Sequence, residues 1–248
     1  MLLYKNNLYE WLKSRAREFH PVVPFDASKE KLIHFDFTES NKALIKIDLS
    51  DTKKFCQYIN DLLQNANAKF GIGGYNELRN LYSRSSLFDN DLNNNFLPIE
   101  EPRRLHLGID IWGEADTPIF APLDGIVHSF AFNNNFGDYG ATIILQHQLE
   151  SVRFFTLYGH LSLADLQNIK EGDDIKGGQT FAHFGEPEEN GHWPPHLHFQ
   201  VIEDIENYKG DYPGVCKFSE REKYLANCPD PDLILNLNQF EFSKDSID

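Results

Sequence analysis

Cysteine is scarce in this chain. Cys56, Cys216 and Cys228 form an odd set of three among 248 residues, too few and too scattered for a disulfide framework. Long apolar runs are also lacking. No stretch reaches the length of a membrane span or of the apolar centre of a signal peptide, and Met1-Leu-Leu-Tyr-Lys5 leads straight into an amphipathic pattern. These absences predict a reduced, cytoplasmic protein, or an exported one if a leader has been trimmed away. Basic charge is short as well: 23 Lys and Arg stand against 38 Asp and Glu, a formal net charge of −15. Nucleic acid and anionic lipid both require a basic face, so neither is an expected partner. There is no internal repeat and no phosphate loop. Gly71-Ile-Gly-Gly74 lacks the Lys-Ser/Thr that would follow such a loop and reads as a helix C-cap and turn.

Hydrophobic residues make up 41% of the chain and aromatics 13%, enough to bury a substantial core. The first 95 residues read as a small α+β domain. Leu8, Trp11, Leu12 and Phe19 predict a helix over 7–19 that stops at His20-Pro21. Leu32–Phe37 and Leu44–Leu49 alternate like half-buried strands. Ser50 or Asp51 can cap a helix carrying Phe55, Tyr58, Ile59, Leu62 and Leu63 on one face, and a further helix is expected from Asn76 to about Ser85. Asp89–Pro102 reads as a linker. Residues 96–248 change texture to short apolar strands between Gly, Pro and Asn turns, the pattern of an antiparallel β-sandwich or open barrel. One short helix is expected over 161–168. After Asp204 a turn-rich extension follows, with a last strand over Leu233–Phe242 and a frayed tail from Ser243. The fold class is mainly β.

Three short runs carry chemistry: His106-Leu-Gly-Ile-Asp110, Tyr158-Gly-His160 and Pro195-His-Leu-His-Phe199. On a strand, His196 and His198 share a face about 6.6 Å apart, while Leu197, Phe199 and Val201 point to the core. His106 and Asp110 would lie about 13 Å apart on a straight strand. They can serve one ion only if the chain bends, and Gly108 is the residue best able to bend it. Each pair alone is a weak signal. Together they offer two nitrogens and one oxygen to Zn²⁺, leaving a fourth position for water. With one carboxylate the centre keeps net charge +1, enough to polarise a carbonyl and acidify that water. The remaining histidines are free for proton transfer near neutral pH.

In this order, His-x-x-x-Asp, Tyr-x-His and His-Leu-His-Phe resemble the M23 (lysostaphin- or LytM-type) zinc metallopeptidases over about residues 100–205. Thr117-Pro-Ile-Phe-Ala-Pro-Leu-Asp-Gly125 and Gly172, Gly178 and Gly185 add to the resemblance. It implies the duplicated-hybrid-motif β-sandwich, with one zinc at the floor of a groove held by His106, Asp110 and His198. It also implies His160 and His196 as the catalytic pair, one accepting a proton from the water and the other orienting it or stabilising the oxyanion. The implied substrate is a peptide or amide, with bacterial cell-wall peptide as the family's usual target. Gln200 stands where an acidic residue is common, and Gly185–Pro195 is longer and bulkier than the usual loop.

Other readings compete. The chain could be a non-catalytic or regulatory binding module on this scaffold, an intracellular amidase of small molecules, or a phosphoryl carrier with one exposed histidine. His128, His147 and His183 read as packed or surface residues, and His192 as loop surface. Trp193 reads equally as groove wall and as core anchor, Cys216 and Cys228 as free thiols, and Glu186, Glu188 and Glu189 as solvated. The first 95 residues read as a wall or a cover of the groove, with no identifiable inhibitory ligand.

Overall fold

The computed structural model describes residues 7–89, 101–150 and 152–240. The expected tail lies outside these residues, as does most of the expected linker. The chain opens with α1 (Asn7–Ser14), β1 (Leu32–Phe35), α2 (Thr52–Ala66) and β2 (Phe70–Gly73). Strands β3 (Leu105–His106), β4 (Ile109–Trp112), β5 (Pro118–Phe120), β6 (Gly125–Asn133), β7 (Gly140–Leu149) and β8 (Val152–Leu161) follow. Then come β9 (Asp174–Ile175), β10 (Thr180–His183), β11 (His196–Ile202) and β12 (Val215–Cys216), and last α3 (Arg221–Asn227) and α4 (Asp232–Leu235).

Eight strands form one mixed sheet in the order β1-β2-β4-β11-β8-β7-β6-β9. Every neighbouring pair is antiparallel except β1 and β2. One face buries Ile111, Tyr158, Leu197 and Phe199, with Leu8 and Leu12 of α1 and Ile119, Ala182 and Phe184 from the β5–β10 ribbon. The opposite face, near β4, packs Trp112 with Phe55 and Ile59 of α2 and with Phe35, Phe37, Tyr82 and Trp193. The strands of the first 95 residues thus extend the sheet that carries the histidines.

Helix α2 forms as its pattern predicts. Asp51 caps it, its carboxylate accepting from the Lys53 and Lys54 N–H groups, and Phe55, Ile59 and Leu63 are buried one turn apart. Asn67 closes it in the left-handed conformation. The 161–168 expectation is met by a 3₁₀ turn at Leu163–Gln167.

Five local expectations give way. Gly71-Ile-Gly-Gly74 does not turn: it lies in and just after the buried strand β2. Its glycines answer to crowding, since a Cβ on Gly71 would sit 2.4 Å from the Phe35 ring and one on Gly73 2.6 Å from Arg79 Nη2. Leu44–Leu49 forms a 3₁₀ turn over Leu44–Lys46, because only Leu44 is buried and Ile45 is 73% exposed. The helix expected from Asn76 shrinks to a 3₁₀ turn over Asn80–Arg84, since Arg79 is extended and drawn into the interior. The first helix ends at Ser14 rather than running to residue 19. The last strand is replaced by α4 and a 3₁₀ turn at Asn238–Phe240.

Candidate metal centre

Strand β4 lies between β2 and β11. Asp110 faces His198 across one ladder and Gly73 across the other, and Trp112 faces His196. Residues directly opposite in a ladder share a face, so Asp110, Trp112, His196 and His198 form one cluster. His106 reaches it because the chain breaks after β3. That strand leaves the main sheet to pair with β12, and Gly108 lies in the bend before β4. The expected bend is present, with a second reason for its glycine: a Cβ on Gly108 would lie 2.5 Å from His198 Cε1. The glycine admits the ring as well as the turn.

Three atoms meet at the centre. His106 Nε2 lies 3.0 Å from His198 Nδ1, His198 Nδ1 lies 3.1 Å from Asp110 Oδ1, and Asp110 Oδ1 lies 3.2 Å from His106 Nε2. Ligands held tetrahedrally at about 2.0–2.1 Å from an ion lie about 3.3 Å apart, so this triangle already has the size a divalent ion needs. The other polar atoms of the three side chains are engaged. His106 Nδ1–H donates to the Gly74 carbonyl at 2.9 Å, and His198 Nε2–H donates to Gln200 Oε1 at 2.9 Å. Asp110 Oδ2 accepts from Arg79 Nη1. These partners assign the ring protons to the far nitrogens. Two bare nitrogens and a carboxylate oxygen are left pointing at one another, an arrangement of acceptors that a cation satisfies. His106, Asp110 and His198 are the group able to hold a metal ion among the described residues.

His160 and His196 stand beside this triangle, all but buried. His196 stacks on Trp112, with ring centroids 3.8 Å apart, and its Nε2 lies 4.0 Å from Asp110 Oδ1. The His160 ring lies 4.1 Å from that of His196. Each ring is tethered by Nδ1–H to a backbone carbonyl, His196 to Pro194 and His160 to Asn190, both at 2.8 Å. Each therefore keeps Nε2 bare. His160 sits at φ +65, a left-handed conformation. That strain is held by its N–H to the Tyr139 carbonyl and its own carbonyl to the Gly185 N–H.

Burial sets the protonation states. It lowers the imidazoles of His106 and His196 to about 4. His160 is pushed well below the usual value by burial and then by the neighbouring His196. Burial acts to raise the Asp110 carboxyl, but His106 and Arg79 outweigh it and hold the group well below the usual carboxylate range. The cluster thus holds the neutral imidazoles of His106, His160 and His196 beside one carboxylate.

The centre opens on a cavity of about 290 Å³ lined by Tyr82, Phe88, Tyr139, Trp193 and Tyr212 and by Asp110, His160, His196 and His198. The histidine-bearing face of β11 is covered, and all seven residues of the strand are buried. The cover comes from Tyr82 and Phe88 in the first 95 residues and from the loop ending at Val215. Tyr82 and Phe88 of the early segment thus line the cavity. Trp193 is both wall and anchor, 3% exposed, with Nε1–H donating to the Asp138 carbonyl.

The bland readings of the remaining histidines and thiols stand. His128 bonds Ser129, His147 is buried, His183 pairs with Asp165, and His192 packs on Phe136. Cys216 and Cys228 are free, buried thiols. Sequence reasoning missed Arg79, Trp112, Tyr139 and Asn190. Gln200 stands out in the sequence only as a departure from the family pattern, and the fold makes it the partner of His198. None belongs to a spacing pattern, so residue type alone could not have singled them out.

Residues 104–210 match peptidase family M23. An uncharacterised metalloprotease of Haemophilus influenzae is 32% identical over 103 residues, covering 42% of this chain and 20% of that protein. The peptidoglycan DD-endopeptidase ShyC of Vibrio cholerae is 29% identical over 134 residues, covering 50% of this chain and 28% of that protein. The matches thus span less than a third of either relative. Among solved structures, the catalytic domain of lysostaphin from Staphylococcus simulans aligns over 68% of this chain and 96% of its own, at 23% identity and a TM-score of 0.36. The matched segment contains His106, Asp110, His160, His196 and His198 in the expected order, and residues 104–210 of this chain are similar to peptidase family M23.

Proposed function

We propose that the protein is a zinc-dependent endopeptidase that hydrolyses amide bonds in peptides of the peptidoglycan type. The observation that carries this reading is the triangle of His106 Nε2, Asp110 Oδ1 and His198 Nδ1, with two bare imidazole nitrogens beside it. Similarity to a peptidoglycan endopeptidase supports the substrate class. Nitrogen, nitrogen and carboxylate oxygen form a donor set suited to zinc, and its three members leave a fourth position for solvent. A bound zinc supplies Lewis acidity, polarising the scissile carbonyl and lowering the pKa of water to about 7.

The chain's own residues do the rest. His160 and His196 begin neutral, so either Nε2 can accept the proton released by the attacking water. Charge on His196 disfavours charge on His160, and the proton taken up by either ring can be passed to the departing amine. The Trp112 ring and the Pro194 carbonyl fix the plane and tautomer of His196. Tyr82, Tyr139 and Trp193 line the cavity with aromatic rings. The four histidines of this cluster are buried, so none of them offers the exposed ring that a phosphoryl carrier needs.

The test is to count zinc in the purified full chain and to assay it on muropeptides and on short peptides. One zinc per chain and cleavage of cross-linked muropeptides are expected. Asp110→Ala should lose the zinc and at least about 10³-fold in kcat/KM, the scale of several kcal/mol. Normal zinc content in that variant would end the assignment of the ligands. Zinc without hydrolysis of any substrate would favour a binding module.

A further inference from the structure

We propose that Arg79 is a positioning residue of the metal centre: by occupying Asp110 Oδ2 it confines the carboxylate to one oxygen toward the ion and keeps the coordination shell open. This rests on the reading of His106, Asp110 and His198 as ligands. Arg79 lies outside the matched segment 104–210, in a stretch that reads as ordinary helix in the sequence.

The guanidinium is 1% exposed. A charge buried so deeply persists only if it is paired and hydrogen-bonded on all sides, and its partners meet that condition. Nη1 donates to Asp110 Oδ2 and, at 3.4 Å, to the Tyr82 hydroxyl. Nε donates to Glu77 Oε2 at 2.5 Å, Nη2 donates to the Gly74 carbonyl at 3.3 Å, and the group lies 5.3 Å from the Phe37 ring centroid.

Room for it is made in the sheet. Gly73 faces Asp110 in the β2–β4 ladder, and a Cβ there would come within 2.6 Å of Arg79 Nη2. The residue that follows β2 supports a second ligand, because the Gly74 carbonyl that accepts from Arg79 also accepts from His106 Nδ1. Backbone bonds lock the segment after β2 to β3: His106 N–H to the Glu77 carbonyl, Asn76 N–H to the His106 carbonyl and Arg79 N–H to the Arg104 carbonyl, each at 2.9 Å.

A carboxylate with both oxygens free can chelate an ion and fill the position that water or substrate needs. Held by a planar guanidinium, Asp110 cannot. Lysine supplies the charge without the fork, so it replaces arginine only in part.

The experiment uses the full chain with Arg79→Met, Arg79→Lys and Gly73→Ala. Zinc affinity is read by competition with a chromogenic chelator, and coordination number by the visible spectrum after cobalt(II) loading. Arg79→Met should weaken zinc binding about 10- to 100-fold, and its cobalt bands should weaken roughly twofold as five-coordination replaces four. Arg79→Lys should recover part of the affinity. Gly73→Ala keeps the arginine but displaces it, and should reproduce the Met variant's spectrum. If Arg79→Met does not fold, the other two variants decide. Folded variants with wild-type affinity and an unchanged cobalt spectrum overturn the role of Arg79 alone. A wild-type chain that takes up neither metal overturns the ligand reading beneath it.

Discussion

Asp110 has two neighbours in the sheet, and they act in opposite ways. Across one ladder stands His198, across the other Gly73. Strand β11 contributes through side chains that point at the centre. Strand β2 contributes through a side chain it does not have, which lets Arg79 reach the far side of the same carboxylate. Both strands are fully buried. The comparison teaches that a metal centre has an inner and an outer half, and that only the inner half consists of residues whose type declares their chemistry.

The division can be tested from the β11 side first, where the effect is largest. His160→Ala and His196→Ala should each lose about 10²- to 10⁴-fold in kcat while zinc content stays at one per chain by elemental analysis. Loss of zinc in either variant would erase the distinction between ligands and proton carriers. On the β2 side, Gly71→Ala should act on packing alone. Its Cβ meets the Phe35 ring rather than Arg79, so denaturant unfolding should show about 1–3 kcal/mol of overpacking cost. Zinc affinity should not move. A matching fall in affinity would mean that any disturbance of β2 reaches the ion, and that Gly73 has no special place.

The smallest effect sharpens what sets His196 apart. His147 is also fully buried, also tethered by Nδ1–H to a carbonyl, that of Asp124, and also lowered by burial to about 4. Its Nε2, however, lies 2.7 Å from Thr156 Oγ1 in a hydrogen bond, so no nitrogen is left for chemistry. Its folded pKa lies below the ordinary 6.5, so the unfolded chain binds the proton more readily. The stabilisation from keeping His147 neutral is therefore complete above 6.5 and is lost as pH falls toward 4. By roughly pH 5 about 1–2 kcal/mol should be gone. His147→Gln should flatten the pH dependence of thermal unfolding in that window without altering activity. An unchanged slope would refute the assignment.

Residues whose chemistry is local were easy to read. Asp51 capping α2, the alternation of Leu197 and Phe199 with the histidines, and the need for a bend at Gly108 all appear as expected. Misreadings arose where a residue answers to a distant neighbour. Gly71 and Gly73 look like a turn because glycine usually signals backbone freedom, yet here each yields volume to a side chain from another element. Leu44–Leu49 alternates like a strand, but no partner strand is present to pair it among the described residues. Arg79 carries no motif. Its role depends on a ladder that joins residues 73 and 110.

The amino-acid order settles the donor chemistry of this protein, because imidazole and carboxylate bring their metal and proton affinities wherever they are placed. It also settles the facing of His196 and His198, since a strand repeats every two residues. Folding in three dimensions settles which nitrogen of each ring remains bare, how far apart the ligands stand, and which oxygen of Asp110 is spoken for. Those outcomes depend on the carbonyls of Gly74, Pro194 and Asn190, on Gln200 and on Arg79. Long-range packing brings all of these together, and short-range sequence pattern does not encode it.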